Sequence, residues 1–125
     1  MSNSRVAVII EDDADIRLLI ATVLEQTGFD VHTANDGLEG IEVVRAHRPQ
    51  VTTLDVSMPG IDGFETARRI RSFSDTRIVM VTARADEEHI ARGREAGADD
   101  YITKPFRPRD LRARISAMIE PTSDA

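Results

Sequence analysis

The sequence contains no cysteine and no tryptophan, and only one tyrosine and four phenylalanines among its 125 residues. Without cysteine, disulfides, thiolate metal sites and thiol nucleophiles are excluded, so any chemistry must use oxygen and nitrogen groups. Aromatic rings are too scarce to sandwich a flavin. Long apolar runs are missing as well: Met1 to Arg5 leads straight into a five-residue run, Val6 to Ile10, too short for a signal-peptide core or a membrane span. The expected location is therefore the cytoplasm, with no membrane partner. There is no excess of basic charge. A formal charge of -6 argues against direct nucleic-acid binding by this segment.

What is present is an ordinary globular composition, 41% hydrophobic and 30% charged, in a length that fits one domain. A single domain is expected over 1–125, with a folded core of about 5–119 and a polar tail at 120–125. Apolar β-rich runs recur at 6–10, about 29–34, 51–54, 78–81 and about 100–103, separated by stretches of helical period. In the first such stretch Ile16, Leu19, Ile20, Val23, Leu24 and Thr27 share a face, Arg17 and Glu25 lie opposite, and Gly28 closes the helix. The second opens on Asp36-Gly-Leu-Glu39, a capping-box spacing in which Asp36 accepts from the Glu39 amide and Glu39 reaches back to the cap; Leu38, Ile41 and Val44 face the sheet. The third starts after Asp62 and presents Phe64, Ala67 and Ile70; the fourth starts at Asp86, carries Ile90 and Ala91 and stops at Gly97. The fifth is opened by Pro108 and shows Leu111, Ile115, Met118 and Ile119. Strands that are nearly all apolar imply a parallel sheet covered on both faces, a doubly wound α/β sandwich.

Four of these runs end in polar residues suited to phosphoryl chemistry on a carboxylate. Val6 to Ile10 meets Glu11-Asp12-Asp13, Val51 to Leu54 meets Asp55, Ile78 to Val81 meets Thr82, and Asp100 to Thr103 meets Lys104-Pro105. Parallel strands place these ends on one sheet edge, where open α/β sheets bind ligands. Asp13 or Asp15 suffices to cap the first helix, which leaves Glu11 and Asp12 to join Asp55 around a divalent cation. The turn-rich loop Val56 to Gly63 is expected to expose the Asp55 carboxylate; Asp62 reads as a turn former. A carboxylate beside such a cation is a competent nucleophile toward phosphorus, with Lys104 and the Thr82 hydroxyl placed to bind phosphoryl oxygens. Whether Lys104-Pro105 is cis or trans stays open at this level.

From about Val6 to Ile119 the chain resembles the receiver domain of two-component response regulators. The resemblance rests on Glu11-Asp12-Asp13, Leu54-Asp55-Val56 with Met58-Pro59-Gly60 and Asp62-Gly63, Val81-Thr82-Ala83, and the run Gly97 to Phe106. It implies a five-stranded parallel sheet in the flavodoxin-like order 2-1-3-4-5, and an aspartyl phosphate on Asp55 received from a sensor histidine kinase or phosphotransfer protein. It further implies magnesium, replaceable by manganese, held by Glu11, Asp12, Asp55 and the Ser57 carbonyl, and a phosphoryl site made by Thr82, Lys104 and the Ala83 amide. Such a domain is a phosphoacceptor switch and not a dedicated enzyme, with self-phosphorylation from small donors and slow autodephosphorylation. Thr82 and Tyr101 would carry the switch to the surface of helix 4, strand 5 and helix 5.

The stretch Gly97 to Tyr101 together with Pro108 to Arg114 is most like the OmpR/PhoB-type winged-helix transcription factors, which implies a homodimer through that surface with Asp100 and Arg114 paired across it. Arg94 and Arg112 put charge where such interfaces are commonly apolar, and Ile90 stands where a basic partner for Asp110 is expected. Thr52-Thr53 occupy strand positions where bulkier aliphatics are expected. Rival readings are weaker. An aspartate-nucleophile phosphohydrolase would carry a second aspartate where Ser57 stands, and a flavodoxin-like carrier would not place three acids where it must cradle phosphate.

Overall fold

The computed structural model describes residues 5–84 and 86–119; the expected polar tail at 120–125 lies outside the described residues. The chain alternates strictly: β1 (Val6–Ile10), α1 (Ala14–Gln26), β2 (Asp30–Ala34), α2 (Gly37–His47), β3 (Val51–Asp55), α3 (Gly63–Arg71), β4 (Arg77–Thr82), α4 (Glu87–Ala96), β5 (Asp100–Thr103) and α5 (Pro108–Ile119). All strand pairs are parallel, in the order β2-β1-β3-β4-β5. Because strand side chains alternate, each strand feeds both faces. Ala7, Ile9, Val51, Val79, Val81 and Ile102 pack under α1 and α5 through Ile20, Leu24, Leu111 and Ile115. Val8, Ile10, Leu54, Ile78 and Met80 pack under α2, α3 and α4 through Val44, Phe64, Ile70 and Ala96. The result is the expected doubly wound sandwich, with β1, β3, β4 and β5 ending on one edge.

Helix ends follow local chemistry. Asp13, Asp36, Asp62 and Asp86 each accept a backbone N–H of the following first turn, at 2.8 to 3.1 Å. Gly28 and Gly97 take φ of 91° and 111° just past α1 and α4, the left-handed region that glycine enters without strain.

Five local expectations change. Glu39 Oε1 accepts from the Asn35 amide at 2.8 Å, not from the cap residue; Asp36 is fully extended, so the amide within reach is the one before it. Leu38 is 57% exposed, because Gly37 and Gly40 make the close contacts of α2 instead: a Cβ on Gly37 would strike Thr66 Oγ1, and one on Gly40 would strike Ile10. On α4 Ala91 is exposed, while Gly93 and Ala96 are buried. On α1 Leu19 stands at the rim of exposure, and Arg17 turns back to donate to the Glu11 carbonyl at 2.9 Å.

Candidate functional site

Glu11 follows β1 directly, and Asp55 is the last residue of β3; both are buried, at 1% and 3% exposure, while Asp12 is exposed. One oxygen from each of the three lies within 4.8 Å of the others, forming an acidic cluster at the carboxyl edge of the sheet. The ammonium of Lys104 enters from the end of β5, with Nζ 3.4 Å from Glu11 Oε2 and 3.4 Å from Asp55 Oδ1. The peptide bond between Lys104 and Pro105 is cis, which answers the question the sequence left open. The Lys104 amide also donates to the Thr82 carbonyl at 2.7 Å, tying β5 to β4 beside the cluster.

The expected exposure of Asp55 is corrected by this arrangement. The loop after β3 folds over the carboxylate: the Ser57 amide donates to Asp55 Oδ1 at 3.3 Å, and α3 closes from the side through Gly63, whose amide donates to the Val56 carbonyl at 2.8 Å. A Cβ on Gly63 would lie 2.6 Å from the Asp55 carbonyl oxygen and 2.7 Å from Val56 Cα, so only glycine permits this approach. Burial, reinforced by the negative charge of Glu11, pushes the Asp55 carboxyl up from 3.8 to about 7, and the attraction of Lys104 offsets only part of that rise.

The residues present fit a hard divalent cation. Three carboxylates supply the oxygen ligands that magnesium favours, and Glu11 Oε1 is buried with no hydrogen-bond partner among the described residues. A buried carboxylate oxygen left unpaired is costly, and a coordinated cation or its water satisfies it. Ser57 and Ala83, whose backbone groups the resemblance assigns to the metal and to phosphate, are exposed just beyond the ends of β3 and β4.

Thr82 ends β4 and is 7% exposed, but its hydroxyl is turned into its own loop: it donates to the Arg84 carbonyl at 3.0 Å and accepts from the Arg84 amide at 2.9 Å. Tyr101 is half-buried against the α3–α4 side of the core, where with Thr82, Met80, Phe64, His89 and Gly93 it lines an apolar cavity of about 20 Å³. That is room for about one water and not for a ring. Asp100 and Arg114 pair within the chain, Nη1 lying 3.0 and 3.1 Å from the two carboxylate oxygens. Glu11, Asp12, Asp55, Thr82, Tyr101, Lys104, Asp100 and Arg114 were legible as candidates in the sequence; His89 and Gly93 of the cavity were not, and three contacts were missed: Arg17 on the Glu11 carbonyl, Gly63 against the Asp55 backbone, and Arg84 around the Thr82 hydroxyl. The Asp62-Gly63 pair was the available signal for the second; the other two carry none.

Comparison with known proteins agrees with this geometry. The response regulator receiver domain family model matches residues 7–116. Among curated relatives, the transcriptional regulatory protein CseB of Streptomyces avermitilis is 48% identical over 110 residues, covering 88% of this chain and 47% of its own. The DNA-binding response regulator MtrA of Mycobacterium tuberculosis is 39% identical over 116 residues, covering 93% of this chain and 51% of its own. This chain thus spans about half the length of the curated relatives it matches. Among solved structures, the chemotaxis protein CheY4 of Vibrio cholerae superimposes with a TM-score of 0.86 at 29% identity, covering 92% of this chain and 98% of that one. The BeF3-activated DrrB receiver domain superimposes with a TM-score of 0.81 at 34% identity, covering 96% of this chain and all of that one. With the strand order, the acidic edge and a family match over nearly its whole length, the chain belongs to the receiver domains of two-component response regulators.

Proposed function

We propose that Asp55 is the phosphoacceptor of this receiver, taking a phosphoryl group from the phosphohistidine of a sensor histidine kinase or a phosphotransfer protein. The observation that supports this most directly is convergence: Asp55, Glu11, Asp12 and Lys104 come from three strand ends to one point, with Glu11 Oε1 left without a partner among the described residues. In the transfer, an Asp55 carboxylate oxygen forms the new P–O bond as the P–N bond to the donor imidazole breaks, and the imidazole takes up a proton. Glu11, Asp12, Asp55 and the Ser57 carbonyl would hold magnesium, or manganese in its place, whose charge offsets that of the transferring oxygens. Lys104 neutralises a second phosphoryl oxygen; the Thr82 hydroxyl and the Ala83 amide bind the third.

Beyond that chemistry the domain is a switch, without a separate substrate to turn over. Binding of the phosphoryl group by Thr82 favours the state in which Thr82 has left Arg84 and Tyr101 has moved inward, and a ligand shifts two states only by its differential affinity for them. The altered surface is that of α4, β5 and α5, proposed to control an output or a partner and to form a homodimer through Asp100 and Arg114. Self-phosphorylation from small donors and slow autodephosphorylation follow from the same groups. No helix among the described residues is long and apolar enough to cross a membrane, in keeping with the cytoplasm proposed as its location. The direct test is intact mass after incubation with magnesium and acetyl phosphate: one phosphoryl group per wild-type chain and none on Asp55→Asn. Equal labelling of both proteins would overturn the assignment.

A further inference from the structure

The Thr82 hydroxyl commits both of its hydrogen bonds to one residue, donating to the carbonyl and accepting from the amide of Arg84. Arg84 is itself tied down by its side chain, with Nη2 3.3 Å from Asp86 Oδ2. Asp86 is the N-cap of α4: its Oδ1 accepts from the His89 amide at 3.0 Å and lies 2.8 Å from His89 Nδ1. These bonds from His89, with a smaller contribution from Arg84, hold the Asp86 carboxyl down at about 2. The hydroxyl of the β4 end is thus bound to the main chain of the same residue whose guanidinium is anchored to the cap of α4.

We propose that Arg84 and Asp86 are positioning residues that hold Thr82 in its resting orientation, so that the Arg84–Asp86–His89 contacts set how readily the receiver switches. This rests on the reading of Thr82 as the hydroxyl that responds to phosphate. For Thr82 to turn toward Asp55, both bonds to Arg84 must break, and at 7% exposure water offers little replacement. The side-chain tie of Arg84 resists the loop movement that would let its amide and carbonyl find new partners. His89 extends the restraint inward, because it lines the same apolar cavity as Thr82 and Tyr101 and its ring lies 6.4 Å from that of Phe64 on α3. Loosening the latch therefore favours the active arrangement in advance of any phosphoryl group. Exposed ion pairs are weak, so each one shifts the equilibrium by about fivefold at most.

The test is titration of the magnesium-loaded protein with beryllofluoride, read by the methyl resonance of Thr82. Wild-type protein that does not bind in an Asp55-dependent way would overturn the phosphoacceptor reading and the latch with it. Given wild-type binding, Arg84→Gln leaves the main-chain bonds and the α4 cap in place and should tighten the affinity by about two- to fivefold, with the free-state Thr82 resonance already displaced toward its bound position. Asp86→Asn keeps a capping oxygen, loses its charge and should act in the same direction. In a Thr82→Ala background, with binding read from the Tyr101 ring resonances, the Arg84→Gln gain should vanish, because the two residues act through one contact. Unchanged affinity in Arg84→Gln, or a gain that persists without the Thr82 hydroxyl, would overturn the latch even if Asp86→Asn fails to fold.

Discussion

Lys104, the sole lysine of the chain, holds its ammonium 3.4 Å from Asp55 Oδ1 although 49 residues separate the two in sequence. Every other basic side chain apart from the histidines is arginine, so the one compact, rotatable point charge stands beside the proposed nucleophile. Replacing Lys104 by Met should slow phosphorylation from acetyl phosphate by about a hundredfold, the size of effect seen when one preorganised charge contact to a transition state is removed. Lys104→Arg should not restore the rate, because a planar fork does not reproduce a point charge in this space. Rates from intact mass against time check both, and wild-type rates in either variant would count against the role.

The raised Asp55 carboxyl makes a signed prediction for pH. With its value near 7 when folded and 3.8 otherwise, the folded state keeps a proton that the unfolded chain has already lost between these limits. Its contribution to stability is therefore complete below about pH 4 and is lost as pH rises toward 7. In the presence of chelator, the urea midpoint should fall over that window, and Asp55→Asn should flatten the fall. Magnesium affinity should run the other way, rising about tenfold per pH unit up to about 7 as the displaced proton leaves. Isothermal titration across the same range checks the second slope.

The pair between Asp100 and Arg114 closes within one chain. Exchange of these partners across a two-fold axis keeps every charge matched, so dimerisation need not leave either group unpaired. Beryllofluoride should strengthen self-association by about tenfold or less, since rim ion pairs contribute little, and Arg114→Glu should abolish the gain. Sedimentation at moderate salt measures both, and a mimic-bound protein that stays monomeric at high concentration would exclude this surface.

Thr52 and Thr53 show why strand composition was harder to interpret than strand position. Thr52 shares a hydrogen bond of 3.1 Å with Thr76, but the Thr53 hydroxyl is buried with no partner among the described residues. Thr53→Val should therefore stabilise the fold by about 1 kcal/mol, because it removes an unpaired buried hydroxyl at nearly constant volume. A midpoint lowered in urea would show that the hydroxyl has a partner after all.

The five strands and the residues that end them were legible because a parallel sheet covered on both faces forces continuous apolar runs, and each run stops where the chemistry begins. Helix starts were legible for the same local reason, as Asp13, Asp36 and Asp86 act on amides two or three residues away, while Asp62, which reads as a turn former, proves to be the cap of α3. The burial of Asp55 was not, because it depends on the close approach of Gly63 and on Lys104 arriving from another strand. Leu38 misled for a related reason: helical period marks a face, but the tight contacts of Gly37 and Gly40 decided how α2 lies. The resting bonds of Thr82 involve only the backbone of Arg84, which no side-chain pattern encodes.

The proposed function turns on Asp55 as the acceptor, and the most direct measurement locates the modification itself. An acyl phosphate on aspartate is reduced by borohydride to homoserine, which survives digestion and can be placed by tandem mass spectrometry. After incubation with magnesium and acetyl phosphate, homoserine should appear at position 55 alone, and it should disappear when magnesium is chelated beforehand. Homoserine at Asp12 or Asp13, or labelling at position 55 that is indifferent to the chelator, would contradict the account.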